Sequence, residues 1–263
     1  LAFSASSQIL SGPLAGDNPF LFQNGIFSSA LGEEVSLFLP VGEVTRELNG
    51  LTEVSPGHFQ RDGTGVVTFR FTCERSDPLY LYLPTTRLRR ANLKINGRNL
   101  GNYFDIRRYD AVCLGEFPVG KELTLTVTAL ESELYFSDVY LYYQDMALTE
   151  SVTSRLKESP YSIDSFTSSR LVGRVTATEE LPYLLTTIPA DEGWAVTVDG
   201  VKTSPVKVFG TLLAVPLTPG EHTVALRYLP RGFLPGLAVS SLTLLGILLY
   251  VILCRSRRRQ TIR

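Results

Sequence analysis

The residues in this chain best suited to chemistry are aromatic and acidic. Trp194 is the only tryptophan, and its apolar ring face suits the C–H face of a pyranose. Tyr80 and Tyr82 alternate with Leu79, Leu81 and Leu83, while Tyr140 and Tyr142 alternate with Val139, Leu141 and Tyr143. Four tyrosines therefore share strand faces and form a polar-aromatic surface on which a ligand or acceptor could rest. The plainer alternative stands beside each assignment. Trp194 shares a face with Val196 and Val198, which is a core pattern, and tyrosine rows also pack across strands without any ligand.

Paired carboxylates would point to glycoside hydrolysis, which needs two acids converging on one bond. Glu131, Glu133, Asp138 and Asp145 fall near strand ends, yet no spacing pairs them, and they read as solvated strand faces and turns. No Gly-x-Ser-x-Gly elbow occurs, and His58 and His222 have no partner legible in the sequence. His222, in line with Val224 and Leu226, reads as a core-edge residue, and Asp199-Gly200 reads as turn chemistry. No Cys or His pair has metal-ligand spacing. The expectation is a chain without catalytic, metal or cofactor residues. Cys73 and Cys113 fall in strand-like segments and read as buried free thiols; a disulfide between them is the alternative. Cys254 stands where reversible acylation is feasible.

The elements that must position these side chains are mainly β. In Val66 to Cys73 the residues Val67, Phe69, Phe71 and Cys73 occupy one face. Leu93 and Ile95 lead into the hairpin signal Asn96-Gly97, and Leu123, Leu125 and Val127 alternate with threonines. Ahead of them Asn18-Pro19 predicts a capped helix ending at Gly32, within a lead segment, 1–34, whose first sixteen residues have no clear pattern. The strands at 35–145 predict a first β-sandwich, and Leu148, Val152 and Leu156 predict a connecting helix over 146–162 capped by Asp145. A second β-sandwich, 163–230, follows, with Trp194 to Val198 turning at Asp199-Gly200 and a last strand after Pro219-Gly220. Both sandwiches are of jelly-roll or immunoglobulin-like type.

The run from Phe233 to Cys254 carries no charge over 22 residues. At about 1.5 Å per residue it reaches roughly 33 Å, enough to cross a bilayer core. Arg255, Arg257, Arg258, Arg259 and Arg263 follow it in the tail 255–263, whereas the approach to it offers only Arg227 and Arg231. The positive-inside rule puts the tail in the cytoplasm and the β domains outside. Gly236, Ser240, Ser241, Thr243 and Gly246 are small enough to let neighbouring membrane helices approach. The net charge of -1 offers no basic surface for nucleic acid. The chain starts at Leu1 with no signal peptide, which predicts either a signal already removed or, the preferred reading, the end of a longer polypeptide.

The order Gly193-Trp194, Val198-Asp199-Gly200, Pro219-Gly220-Glu221-His222, Tyr228, Pro230, Gly232-Phe233 and Gly236, running into a final span, resembles the C-terminal end of the YfhO family of bacterial membrane proteins. Asn18-Pro19-Phe20 with Gln23-Asn24 is similar to the stretch that opens the extracytoplasmic part of that family. The resemblance implies a multi-pass GT-C glycosyltransferase of the cell membrane, which takes sugar from a polyprenyl phosphate to decorate a cell-envelope polymer such as teichoic acid. Its catalytic acid would lie in an early loop outside this chain, leaving these residues to position acceptor or brace the membrane part. The partners so implied are the lipid bilayer, other transmembrane helices of the same polypeptide, the glycopolymer and the lipid-linked sugar. Two alternatives come from other classes: a single-span, surface-anchored module binding carbohydrate or protein, and a purely structural ectodomain.

Overall fold

Period-two alternation governs most of the chain, and in the computed structural model 47% of residues are strand and 20% helix. The description covers residues 2–105 and 110–260, with the side chains of 253–260 outside it.

Strands β3 (Thr45–Ser55), β4 (His58–Thr72), β9 (Glu122–Ala129), β6 (Ala91–Ile95) and β7 (Arg98–Tyr103) form one antiparallel sheet in that order. The short β10 (Glu133–Tyr135) extends it beside the start of β4. A second sheet, in the order β2 (Phe38–Pro40), β11 (Tyr140–Gln144), β5 (Leu79–Tyr82) and β8 (Val112–Gly115), shares one core with the first. The residues that alternate inward in the sequence fill that core: Val67, Phe69 and Phe71 meet Leu79, Leu81, Leu125 and Tyr143. Each such side chain contributes about 1.5–3 kcal/mol on leaving water. Asn96 and Gly97, both at positive φ (47° and 78°), turn β6 into β7, as the hairpin signal predicts.

The second sandwich is built from β12 (Ser162–Thr167), β13 (Arg170–Ala177), β19 (Gly220–Tyr228), β15 (Trp194–Val198) and β16 (Val201–Thr203) on one side. Opposite lie β1 (Ala2–Ala5), β14 (Tyr183–Pro189), β18 (Leu212–Pro216) and β17 (Val206–Val208). The lead segment therefore belongs to the second sandwich in space: Ala2 to Ala5 pair with Thr186 to Tyr183. A strand that short, followed by a 3-10 helix at Ser7–Ser11, carries too few residues for a readable period.

Helices α1 (Pro19–Leu31) and α2 (Met146–Leu156) join the two sandwiches. Asn18 caps α1 by accepting from the N–H groups of Phe20 and Leu21 at 3.0 and 3.2 Å, and Gly32 ends it in the left-handed conformation (φ 74°). Asp145 caps α2 through the N–H of Leu148 at 2.9 Å. Phe20 of α1 and Val152 of α2 pack with Phe38 and Tyr142 of the first sandwich and with Leu185, Val208 and Ala214 of the second. The two β regions are thus joined through a common apolar centre. Its most intimate polar feature is Asn24, which is 8% exposed: its Oδ1 accepts the N–H of Phe38 at 2.9 Å and its Nδ2 donates to the carbonyl of Phe38 at 2.8 Å.

The last element, α3 (Phe233–Gln260), holds a stretch, Phe233–Ile252, long and apolar enough to cross a membrane, with its side chains unburied by the rest of the protein. The Cys254 side chain and those of the arginine tail lie outside the described residues. Among the cysteines described, Cys73 and Cys113 are both free. Cys113 corrects the expectation of two buried thiols, because its position in β8 turns it outward between buried Val112 and Leu114.

Candidate functional site

Trp194 opens β15 directly opposite Tyr228, the last residue of β19, and the two rings lie 4.9 Å apart at 48°. One face of the indole packs on the second core with Val196. The residue also lines a cavity of about 540 Å³ together with Asp191, Glu192, Val206, Lys207 and Arg231. The cavity thus combines an aromatic wall with charges of both signs. Arg231 and Glu192 form an ion pair at the rim. Among the described residues the Lys207 side chain has no acidic or hydrogen-bonding partner.

The turn before Trp194 is fixed by its neighbours. Asp191 Oδ1 accepts the N–H of Gly193 at 2.7 Å, and the Gly193 carbonyl accepts the N–H of Leu229 at 3.0 Å. A Cβ on Gly193 would stand 2.7 Å from the Leu229 carbonyl oxygen and 2.8 Å from the Tyr228 ring, so only glycine lets the chains approach this closely. Burial, aided by the Asp191 carboxylate, raises the Tyr228 phenol above its ordinary pKa. Five peptide steps separate Tyr228 from Phe233, where α3 begins, placing Tyr228, the partner of Trp194, within about 17 Å of the apolar helix; Arg231 of the cavity lining stands two residues before that helix.

At the far end of the same hairpin, Asp199 and Gly200 take positive φ (52° and 80°) and turn β15 into β16. His222, without a partner legible in the sequence, is held from both sides. Its Nδ1 lies 2.7 Å from Asp199 Oδ2 and its Nε2 lies 2.7 Å from the Thr218 carbonyl oxygen. With acceptors at both ring nitrogens, the imidazolium is favoured: the Asp199 carboxylate raises the His222 pKa, and His222 with the Thr223 N–H lowers that of Asp199. The other Asp199 oxygen accepts the Thr223 N–H at 2.8 Å. The pair ties a turn to a strand and faces no cavity described around Trp194.

The four tyrosines do share one face, since β5 and β11 pair in register Tyr140↔Tyr82 and Tyr142↔Tyr80. Helix α1 covers part of it. Phe20 stacks on Tyr142 with centroids 4.7 Å apart, Phe38 meets Tyr80 edge-on at 6.0 Å, and Asn18 Nδ2 donates to the Tyr142 hydroxyl at 2.9 Å. Tyr142 is therefore buried where the sequence suggested exposure. Tyr82 and Tyr140 stay half-buried at the margin, their rings nearly parallel and 6.4 Å apart. Asn18 and Tyr142 are 124 residues apart in sequence, which is why periodicity missed the cover.

The acidic candidates are taken up by arginines and caps. Glu131 accepts from the N–H of Arg90 at 3.1 Å and pairs with Arg89 and Arg90; these contacts, the Arg90 N–H foremost, hold its carboxyl below the usual range. Glu133 lies 3.3 Å from His58, whose ring stacks on Tyr135 at 4.3 Å. Asp138 bonds the N–H of Val139 and Asp145 pairs with Arg75 at 2.8 Å. None of these pairs leaves two carboxylates facing an open space.

The model of the family described as bacterial membrane protein YfhO matches residues 1–240. No curated protein matches the chain. Among solved structures, a β-glucuronidase from Ruminococcus gnavus in complex with uronic deoxynojirimycin shows 9% identity and a TM-score of 0.28 over 74% of this chain and 43% of its own length. A conserved protein of unknown function from Pseudomonas aeruginosa PAO1 shows 11% identity and a TM-score of 0.21 over 73% of this chain and 91% of its own. The chain thus spans less than half of the glucuronidase. Several residues on which the resemblance in the sequence rests lock the frame of the fold: Asn18 and Asn24 seat α1, Gly193 and Tyr228 seat the strand beside the apolar helix, and Asp199 with His222 closes the hairpin. With a family match over 240 of its 263 residues and an apolar helix fit to cross a bilayer, the chain belongs to the YfhO family of bacterial membrane proteins.

Proposed function

We propose that the chain is the accessory part of a membrane glycosyltransferase, in which sugar passes from a polyprenyl phosphate to a cell-envelope polymer such as teichoic acid. Catalysis resides in other membrane segments of the polypeptide, and this part holds the acceptor. The β domains stand outside the cell membrane and the arginine tail inside. The observation that carries the reading is the cavity beside Trp194: an aromatic wall and the unpaired Lys207 share it with Arg231, which stands two residues before the apolar helix. Stacking on the indole and bonding of polymer phosphates by Lys207 would keep an acceptor strand at the height where a lipid-linked sugar reacts. Tyr82 and Tyr140, at the edge of α1, extend the same kind of surface on the first sandwich.

The reading is supported by family membership. Its test is transfer kinetics in the intact enzyme. Trp194→Ala should raise the acceptor KM roughly tenfold, the scale of one aromatic stacking contact, with kcat within about twofold. A fall in kcat at unchanged KM would overturn the accessory role, as would sugar transfer by residues 1–263 alone.

A further inference from the structure

The end of the second sandwich nearest α3 carries an arginine pair that the cavity beside Trp194 does not use. Arg170 and Arg227 lie directly opposite each other in the β13–β19 ladder, both exposed. Residues opposite in an antiparallel pair extend to the same side about 5 Å apart at Cβ, where like charges repel. Four residues along the same face of β13, Arg174 shows the usual remedy: it is 3.2 Å from Asp164 and 3.8 Å from Glu221. Among the described residues neither Arg170 nor Arg227 forms an ion pair, and the acids nearest to them in the chain, Asp164 and Glu221, are already taken up by Arg174. The repulsion is left for something outside the chain to balance.

The position of the pair says what that is. The Ser169 carbonyl in the β12–β13 turn accepts the N–H of Tyr228 at 2.8 Å, so the hairpin tip is fastened to the residue from which the chain runs into α3 five steps later. The tip thus lies within about 17 Å of the helix start, at the depth of the lipid headgroups. Next to the tip Phe166, opposite Leu171 and so on the other face of the hairpin from Arg170, is 74% exposed on an edge strand with every residue exposed. Cations with an exposed aromatic next to a membrane helix make an interfacial contact, the arginines on phosphates and the ring at the headgroup boundary.

We propose that the β12–β13 hairpin tip docks on the bilayer, Arg170 and Arg227 binding the phosphates of anionic phospholipids beside the helix and Phe166 entering the interface. The contact fixes the tilt of the second sandwich over the membrane, and with it the direction in which the Trp194 cavity opens.

The test is amide hydrogen exchange of the full chain in nanodiscs of phosphatidylcholine alone or with phosphatidylglycerol. Docking predicts slower exchange across residues 165–171 in the anionic discs, by up to about 25-fold at a fivefold gain per arginine. The β3–β4 turn on the first sandwich should exchange equally in both. Arg170→Gln with Arg227→Gln should abolish the lipid dependence while amides of β14 and β18 keep their protection, and Arg170→Lys with Arg227→Lys should retain most of it. Equal exchange of the wild-type tip in both lipids would overturn the proposal. So would a dependence that survives the double glutamine variant. Neither result bears on whether Trp194 binds acceptor.

Discussion

Removing the Asn24 amide tests how the two sandwiches are joined. The residues bounding β2 bond to β11 and its end: the Leu37 carbonyl accepts the N–H of Asp145 at 2.8 Å and the Val41 N–H donates to the Leu141 carbonyl at 2.9 Å. By strand alternation the N–H and C=O of Phe38 point away from the sheet, where Asn24 bonds both. Asn24→Ala leaves two buried backbone groups unbonded, each costing about 1–3 kcal/mol. A central value of about 3 kcal/mol, after allowance for the Asn24 amide no longer being buried, corresponds to a fall in Tm of roughly 6–12 °C for a body of this size. Asn24→Asp should cost at least as much, because its carboxylate keeps the Phe38 N–H but opposes the carbonyl. The assay is thermal unfolding of the detergent-solubilised chain followed by aromatic fluorescence. An Asn24→Ala protein within about 0.5 kcal/mol of wild type, the range of an ordinary surface change, would refute the bridging role.

The Asp199–His222 pair gives a signed pH dependence. Because the folded His222 pKa is raised, its stabilisation is complete below the ordinary value of about 6.5 and is lost as pH rises through the folded value. Because that of Asp199 is lowered, its contribution is present above about 3.9 and is lost as pH falls through the folded value. Asp199→Asn should therefore flatten the decline in Tm measured from pH 5.5 to 9, and an unchanged slope would count against the pair. Gly193→Ala forces a Cβ against the Leu229 carbonyl and the Tyr228 ring. Overpacking of this kind costs about 1–3 kcal/mol, measurable by the same melt, and a wild-type Tm would show that the turn yields freely.

The sequence made strands legible wherever one face is buried and the other wet. Val67 to Cys73, Leu79 to Leu83 and Leu123 to Val127 are of that kind, and all pack in the first core. Local signals were equally readable: Asn18 and Gly32 bound α1, and Asn96-Gly97 and Asp199-Gly200 turn hairpins. Edge strands were not. All residues of β12 are exposed and β1 has four residues, so neither shows a period. Pairing over long separations was also hidden, as in Ala2 with Thr186, Phe20 on Tyr142 and Asp199 with His222. The candidate site shows both limits. Trp194 was identifiable from its type, whereas Val206, Lys207 and Arg231 come to it from another strand and from the approach to the helix.

The central claim is that the cavity beside Trp194 holds the acceptor polymer, and Trp194, the only tryptophan in the sequence, reports on it directly. Purified polyglycerol-phosphate teichoic acid should be titrated into the full chain in nanodiscs while tryptophan emission is followed. The account predicts a saturable change in emission that is lost in Lys207→Gln, whose side chain lines the cavity without stacking on the indole. An emission unchanged at every polymer concentration, with the polymer shown to bind elsewhere by sedimentation, would contradict it.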